Sequence, residues 1–100
     1  MTKQAVAAAD QLTEAKCKIV QVEGVEIGVF LVAGEVRAYR NFCPHAGAPL
    51  LDGPVRDGVV VCPWHGWAFD LRTGAHAANP RCTLDAYRAE IAEGTVFVWV

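Results

Sequence analysis

The 100-residue sequence lacks long apolar runs and clusters of positive charge. No apolar stretch approaches the roughly 18 residues that mark a candidate membrane-spanning helix, and the first residues lack the apolar core of a secretory signal. Nine basic and eleven acidic residues are spread along the chain, for a net charge of −2, without a polybasic segment. These absences argue against binding to nucleic acid or to anionic lipid. We therefore expect a cytoplasmic protein with neither a nucleic-acid partner nor a membrane partner.

Cofactor-binding motifs are also scarce. The sequence has three histidines and no GxGxxG segment of the kind that binds a flavin or a nicotinamide nucleotide. With 53% hydrophobic and 20% charged residues, the composition is typical of a globular domain and not of a disordered chain. A chain of this length can bury one modest core. We predict a single domain over residues 1–100.

Two short pairs of cysteine and histidine are the most informative residues present. Cys43 and His45 form a C-x-H segment, and Cys62 and His65 form a C-x-x-H segment, with sixteen residues between the two. Each pair supplies one thiolate and one imidazole. In a dinuclear iron–sulfur cluster, one iron can then take both thiolates and the other both imidazoles, which is the ligand set of a Rieske [2Fe–2S] centre. The spacing predicts that these four residues bind one such cluster.

A structural zinc site is the alternative for the same four residues, because two cysteines and two histidines also complete a tetrahedral shell. Zinc fingers usually pair like ligands in the sequence, with two cysteines followed by two histidines. The order here is Cys, His, Cys, His, which favours the iron–sulfur cluster. A zinc-stabilised binding module is kept as a remote alternative.

The residues around the two pairs resemble a known family. Cys-Pro-His-Ala-Gly-Ala-Pro-Leu at 43–50, Cys-Pro-Trp-His-Gly-Trp at 62–67, Phe-Asp at 69–70 and Thr-Gly at 73–74 are similar to segments of Rieske-type ferredoxins, the ferredoxin components of bacterial multicomponent aromatic-ring dioxygenases. The resemblance implies an all-β Rieske fold. In that fold, stacked antiparallel sheets form a small sandwich or incomplete barrel, with a cluster-binding subdomain, here at about residues 41–70, at one end.

The apolar pattern of the chain agrees with a β fold. We expect strands over residues 17–22, 25–31, 36–39, 59–61, 67–70, 84–91 and 95–100, separated by glycine-containing turns. The alternation of Val25, Ile27, Val29 and Leu31 predicts a strand with one buried face. Residues 5–15 are expected to hold a short strand followed by a helical turn.

The number of histidines excludes a second iron site of the kind found in oxygenases. With His45 and His65 committed, only His76 is left, and one histidine cannot build the iron site of two histidines and one carboxylate found in ring-hydroxylating oxygenases. We expect His76 to be an exposed loop residue, and we expect Cys17 and Cys82 to be thiols in or beside strands. A chain that can hold an electron and has no second redox site is an electron carrier and not an enzyme.

The resemblance also implies the partners. Ferredoxins of this kind accept single electrons from a flavin-dependent reductase and deliver them to a terminal oxygenase, each in a transient complex. The alternative is a small Rieske subunit of a larger reductase complex, such as assimilatory nitrite reductase. The ligand loops carry no third cysteine for the disulfide of high-potential members, so we expect a potential near the low end of the Rieske range, about −150 mV.

Both ligand segments are free of charged residues. Neither 41–51 nor 58–69 contains Asp, Glu, Lys or Arg. Loops are usually solvated, so an apolar rim around a ligand site predicts a surface that another protein covers. The resemblance places the two histidine ligands at the exposed tip of the fold. We therefore predict that a redox partner docks on Ala46, Pro49, Leu50 and Trp64.

Overall fold

Ten short strands make up most of the fold in a computed structural model of the chain, which describes residues 2–13, 17–43, 49, 51, 53, 55–62 and 66–100. The strands are β1 (Lys3–Ala8), β2 (Lys18–Val22), β3 (Val25–Val32), β4 (Glu35–Arg40), β5 (Val55–Arg56), β6 (Val59–Val61), β7 (Ala68–Asp70), β8 (Ala75–His76), β9 (Ala86–Ala92) and β10 (Thr95–Trp99). A 3-10 turn at Ala9–Gln11 follows β1. The predicted all-β class is confirmed, including the strand and helical turn expected near the N terminus.

Six strands form one antiparallel sheet in the order β1-β10-β9-β4-β3-β2. Its hairpins turn at Glu23-Gly24, Ala33-Gly34 and Glu93-Gly94, where φ is 50–52° at the first residue and 77–81° at the glycine. Positive φ at both central residues defines a type I′ turn, whose twist matches that of the paired strands. The edge strands β1 and β2 also contact each other. The sheet is therefore a nearly closed barrel.

The other four strands form a smaller antiparallel sheet in the order β5-β6-β7-β8. The strands β6 and β7 were expected from the sequence, whereas β5 and β8 were not. Each of these two strands has only two residues, which is too short to show an alternating pattern. The small sheet spans the second ligand segment, because residues 62–67 connect β6 to β7.

Two apolar clusters lie on opposite faces of the large sheet. Ile27 and Val29 face the interior of the barrel, whereas Phe30 and Val32 face a second cluster shared with the small sheet. The expectation that β3 buries only one face was wrong, because Ile27 and Val29 are 0% exposed and Phe30 is 1% exposed. The small sheet covers the second face of β3, which the sequence pattern had predicted to be exposed.

Tyr39 joins the large sheet to the small one. Its ring stacks on Phe30, with centroids 5.8 Å apart, and its hydroxyl donates a hydrogen bond to the carbonyl oxygen of Leu71 at 3.0 Å. Burial raises the pKa of the Tyr39 phenol, so the hydroxyl remains a donor. The turn after β7 is thereby fastened to the core.

The described residues include no helix that is long and apolar enough to cross a membrane.

Candidate metal centre

The first ligand segment leaves the large sheet at the end of β4, where Asn41 is buried. Its backbone N–H donates to the carbonyl oxygen of Glu26 at 2.9 Å, and its side-chain Nδ2 donates to Glu26 Oε1 at 2.7 Å. Asn41 Oδ1 accepts the backbone N–H of Leu51 at 2.7 Å. Because Leu51 lies ten residues further along the chain, Asn41 ties together the two ends of the segment that contains Cys43 and His45.

Leu51 packs against the middle of β3, where Gly28 leaves it room. A Cβ atom at Gly28 would lie 2.6 Å from Leu51 Cδ1 and 3.4 Å from Cys17 Cβ. The first distance is too short for any real contact, so a larger residue at position 28 would displace Leu51. The end of the first ligand segment is therefore held both by the Asn41 hydrogen bond and by packing on the sheet.

The part of the second ligand segment that carries Cys62 and His65 follows β6 directly. Cys62 donates its N–H to the carbonyl oxygen of Trp67 at 2.7 Å, and Gly66 donates its N–H to the carbonyl oxygen of Cys62 at 2.9 Å. Gly66 has a φ of +72°, a conformation that glycine adopts without steric cost. These bonds close the segment in which His65 lies.

Cys43 and Cys62 belong to the same buried apolar cluster, although they follow strands of different sheets. Cys43 is 0% exposed and Cys62 is 1% exposed. No disulfide joins any of the four cysteines of the chain, in agreement with the expectation for Cys17 and Cys82. Two buried thiols in an apolar setting suit soft metals and iron–sulfur clusters. The donor set fits the thiolate half of the predicted site.

The imidazole half of the site lies outside the part of the chain that the structure describes. The predicted site residues outside it are His45, His65, Ala46, Leu50 and Trp64. Pro49 is described and is exposed, as the docking hypothesis requires. No three His, Cys, Asp or Glu side chains of the described residues converge as metal ligands. The assignment of four ligands stays a prediction.

Two large apolar side chains are exposed immediately before Cys43 and Cys62, the two predicted cysteine ligands. Phe42 is 39% exposed and Val61 is 50% exposed. Successive side chains of an extended chain point to opposite sides, so a buried cysteine at the next position leaves Phe42 and Val61 facing outward. The Arg40 guanidinium covers part of Phe42, with its Cζ atom 4.4 Å from the ring centroid. Apolar surface thus adjoins both ligand segments.

His76 does not lie where the sequence suggested. It belongs to β8, paired with Phe69 of β7, and its ring is nearly perpendicular to those of Trp67 and Phe69, with centroids 4.4 and 5.3 Å away. Its Nδ1 accepts backbone N–H groups from Ala78 at 2.9 Å and Asn79 at 3.2 Å. The expectation of an exposed loop residue was wrong, because His76 lies in a strand and two aromatic side chains, Phe69 of β7 and Trp67 just before it, cover the ring.

An ion pair lies at the far end of the same hairpin. Asp70 accepts hydrogen bonds from the backbone N–H of Arg72 at 2.9 Å and from its guanidinium at 3.1 and 3.2 Å. The Arg72 side chain holds the pKa of the Asp70 carboxyl below its ordinary value. Both side chains are partly exposed, so this pair fixes the turn and adds little to overall stability.

Comparison with known proteins identifies the family. A family model described as "Rieske [2Fe-2S] domain" matches residues 2–88. Ferredoxin CarAc of Metapseudomonas resinovorans is 34% identical over 83 residues, which cover 81% of this chain and 77% of the relative. The chain belongs to the Rieske [2Fe–2S] domain family, and one Rieske-type cluster is its cofactor.

Solved structures show the same fold. The ferredoxin of carbazole 1,9a-dioxygenase from Nocardioides aromaticivorans IC177 has a TM-score of 0.83 and 31% identity, covering 98% of this chain and 97% of that chain. A complex of reduced oxygenase and oxidized ferredoxin in carbazole 1,9a-dioxygenase contains a chain with a TM-score of 0.83 and 32% identity, covering 96% of this chain and 91% of that one. The predicted Rieske fold is confirmed.

Two further comparisons bear on the alternatives. A putative small subunit of a nitrite reductase has a TM-score of 0.79 at 20% identity, with full coverage of both chains, which shows a shared fold alone. Human apoptosis-inducing factor 3 is 39% identical over 84 residues, which are 78% of this chain but only 14% of that protein. The same domain therefore also occurs as a small part of a much longer protein.

Proposed function

We propose that this protein is a one-electron carrier that takes electrons from a flavin-dependent reductase and delivers them to a terminal oxygenase. The observation that carries the proposal is the burial of Cys43 and Cys62 in one apolar cluster, in a chain that matches a dioxygenase ferredoxin over nearly its whole length. A Rieske [2Fe–2S] cluster supplies reversible one-electron chemistry when bound. The protein is a component of an oxidoreductase system and is not itself the catalyst.

Within this proposal, Cys43 and Cys62 hold one iron, and His45 and His65 hold the other. Burial of both cysteines keeps water away from the thiolates, whereas an imidazole is long enough to leave its outer edge at the surface. The apolar surface at Val61 then adjoins the side from which a partner approaches.

The ligand assignment is tested by cysteine and histidine substitutions. The purified protein should contain two irons and two acid-labile sulfides per chain. Replacing any of the four ligands should abolish its red-brown colour. Cys82→Ser is a matched control, because Cys82 is a half-buried cysteine with no assigned role, and it should keep the cluster. A colourless, anaerobically prepared protein with one zinc per chain would instead support the zinc-stabilised module.

The docking surface is placed at the ligand end of the fold. It comprises Ala46, Pro49, Leu50 and Trp64, and we extend it to the exposed residues Phe42 and Val61. Electron-transfer complexes are small and weak, because the carrier must dissociate after each transfer. The lack of charge in both ligand segments implies contact through shape and desolvation, with little electrostatic steering.

A charge placed on this surface tests the docking hypothesis. Val61→Asp is compared with Ile91→Asp, because Ile91 is also an exposed strand residue, 40% accessible. Ile91 lies five positions beyond Ala86, which pairs with Tyr39 near the ligand end, so it is about 17 Å further along β9. Leu50→Asp and Trp64→Asp extend the series.

The rates measured are reduction of the protein by a flavin-dependent reductase and its oxidation by a terminal oxygenase. Val61→Asp should slow both rates several-fold, whereas Ile91→Asp should leave them unchanged. Reduction by dithionite should be the same in all variants, since a small reductant needs no docking surface. Equal effects of Val61→Asp and Ile91→Asp would place the docking surface elsewhere.

The alternative of a subunit in a larger nitrite reductase rests on a shared fold at 20% identity. It differs from a free carrier in one observable way, since a subunit purifies with a large sirohaem-containing partner. We expect the protein to elute alone from a size-exclusion column and to exchange electrons with the oxygenase only transiently. Cell fractionation tests the cytoplasmic location, which stays part of the proposal.

A further inference from the structure

His76 places a polar imidazole among aromatic side chains behind the second ligand segment. Its Nε2 atom is shielded from solvent and has no hydrogen-bond partner among the described residues. Buried polar groups usually have a partner, and an exception calls for a physical explanation. An apolar side chain would fill this position without that penalty, so filling space does not account for the histidine.

The other ring nitrogen fixes both the tautomer and the orientation of the imidazole. Nδ1 accepts two backbone N–H groups, from Ala78 and Asn79, and it therefore carries a lone pair and no proton. The proton of the neutral ring is on Nε2. Backbone bonds hold the same residue, because the N–H of His76 donates to Cys82 O at 2.8 Å. The ring is thus anchored to the turn that follows β8.

The anchored ring meets the residue that closes the second ligand segment. His76 lies edge-to-face with Trp67, at a centroid distance of 4.4 Å and an interplanar angle of 86°. The carbonyl oxygen of Trp67 accepts the N–H of Cys62 at 2.7 Å. A displacement of Trp67 would therefore move the backbone of Cys62. No described charged side chain takes part in this connection.

We propose that His76 is a positioning residue for the second ligand segment, acting on Cys62 through Trp67. The imidazole combines two properties that no apolar residue has together, an aromatic edge for the indole and an acceptor for the turn 78–79. Groups that orient metal ligands from behind tune both the affinity and the electronic properties of a site. The proposal requires the cluster and is independent of the electron-transfer partners.

Two substitutions separate the two properties. His76→Phe keeps an aromatic ring against Trp67 and removes the acceptor. His76→Asn keeps a side-chain oxygen that can accept the backbone N–H groups and removes the ring. Each cluster-loaded protein is measured for the rate of iron release to excess chelator and for the EPR g values of the reduced state. We expect both variants to release iron several-fold faster than the wild type and to have shifted g values.

Asp70→Asn is the matched control. It weakens the Arg72 contact at the other end of the β7–β8 hairpin, so it should lower thermal stability only slightly and does not touch Trp67. Its iron release and g values should equal those of the wild type. Equal changes in Asp70→Asn, or wild-type values in either His76 variant, would overturn the proposal, because the role of His76 would then be structural only.

If the His76 variants bind no cluster, Trp67→Phe tests the proposed connection from His76 through Trp67 to Cys62. The smaller ring loses much of the edge-to-face contact while the backbone carbonyl stays available to Cys62. The proposal requires faster iron release and shifted g values in this variant, and unchanged values refute it. All these measurements use the protein alone, so a failure of the proposed electron-transfer role would not affect them.

Discussion

Asn41→Ala tests whether a single buried amide holds the first ligand segment. The substitution removes the acceptor of the Leu51 N–H, and Leu51 is 0% exposed, so water cannot replace the lost partner. A buried donor left unsatisfied costs about 1–3 kcal/mol. The lost bond to the Glu26 carboxylate adds less, because Glu26 is only half-buried. We expect a destabilisation of about 2 kcal/mol, which lowers the Tm of a domain of this size by about 8–16 °C.

The assay is thermal unfolding of the loaded protein, followed by far-ultraviolet circular dichroism and by the visible absorption of the cluster at one fixed scan rate. Loss of the cluster makes such unfolding irreversible, so the comparison is between variants under identical conditions. Because Asn41 joins the two ends of a ligand segment, the visible bands should disappear at a lower temperature in Asn41→Ala than in the wild type.

A charge swap provides the control for this prediction. Asn41→Asp keeps an acceptor for the Leu51 N–H but places a second carboxylate against Glu26, so it should also be destabilised at neutral pH. Adding Glu26→Gln restores a donor opposite the new carboxylate and should recover most of the loss. A Tm for Asn41→Ala within about 2 °C of the wild type, or no recovery in the double variant, would refute the reasoning.

Three further predictions concern packing, pH and redox potential. Gly74→Ala should lower the free energy of unfolding by about 1–3 kcal/mol more than Gly24→Ala in denaturant titrations, because both glycines have φ near +80° but only Gly74 would bring a Cβ within 2.8 Å of the Tyr39 ring. Arg72 lowers the pKa of Asp70 from its ordinary 3.8. The Asp70–Arg72 pair therefore stabilises the folded state at pH values above 3.8, and this contribution is lost as pH falls through the lower folded-state pKa. Asp70→Asn should therefore be slightly less stable than the wild type at pH 7 and equally stable in strong acid, as measured by denaturant midpoints across pH. Spectroelectrochemical titration should give a potential near the low end of the Rieske range, about −150 mV, and a midpoint above zero at neutral pH would contradict that expectation.

Local sequence signals were sufficient for most of the large sheet. Alternating apolar residues and glycine-containing turns predicted the hairpins at Glu23-Gly24 and Glu93-Gly94, because a type I′ turn and its flanking strands are specified by adjacent residues. The two-sided burial of β3 could not be predicted in this way. Its second buried face exists because the small sheet covers Phe30, and that contact joins residues that are distant in sequence.

The candidate site also combines features that local sequence predicts with features that depend on residues distant in sequence. Cys43 and Cys62 were predicted as ligands from their order and spacing with the two histidines, since ligand chemistry restricts both residue type and separation, and the structure places both cysteines in one buried cluster. Asn41 and His76 were not identified, although both lie close to ligand segments. The role of Asn41 depends on Glu26, which belongs to another strand, and the environment of His76 depends on the aromatic rings of Trp67 and Phe69. A buried polar side chain beside a ligand segment identifies a residue that supports the site, and only the folded structure shows that the side chain is buried.

The arrangement of the two sheets implies that cluster binding and folding are linked. Cys43 follows a strand of the large sheet and Cys62 follows a strand of the small one, so the proposed ligation by both would fasten the sheets together. The small sheet depends on that fastening more than the large one, because its strands have only two or three residues, whereas β3 has eight. Strands that short are unstable without a hydrophobic face against a partner, and here that face is the apolar cluster that contains both cysteines. The proposed metal–ligand bonds at the edge of this cluster would therefore contribute to the folding of the small sheet. The buried bonds of Asn41 hold the ligand segment at the junction even though they touch no metal.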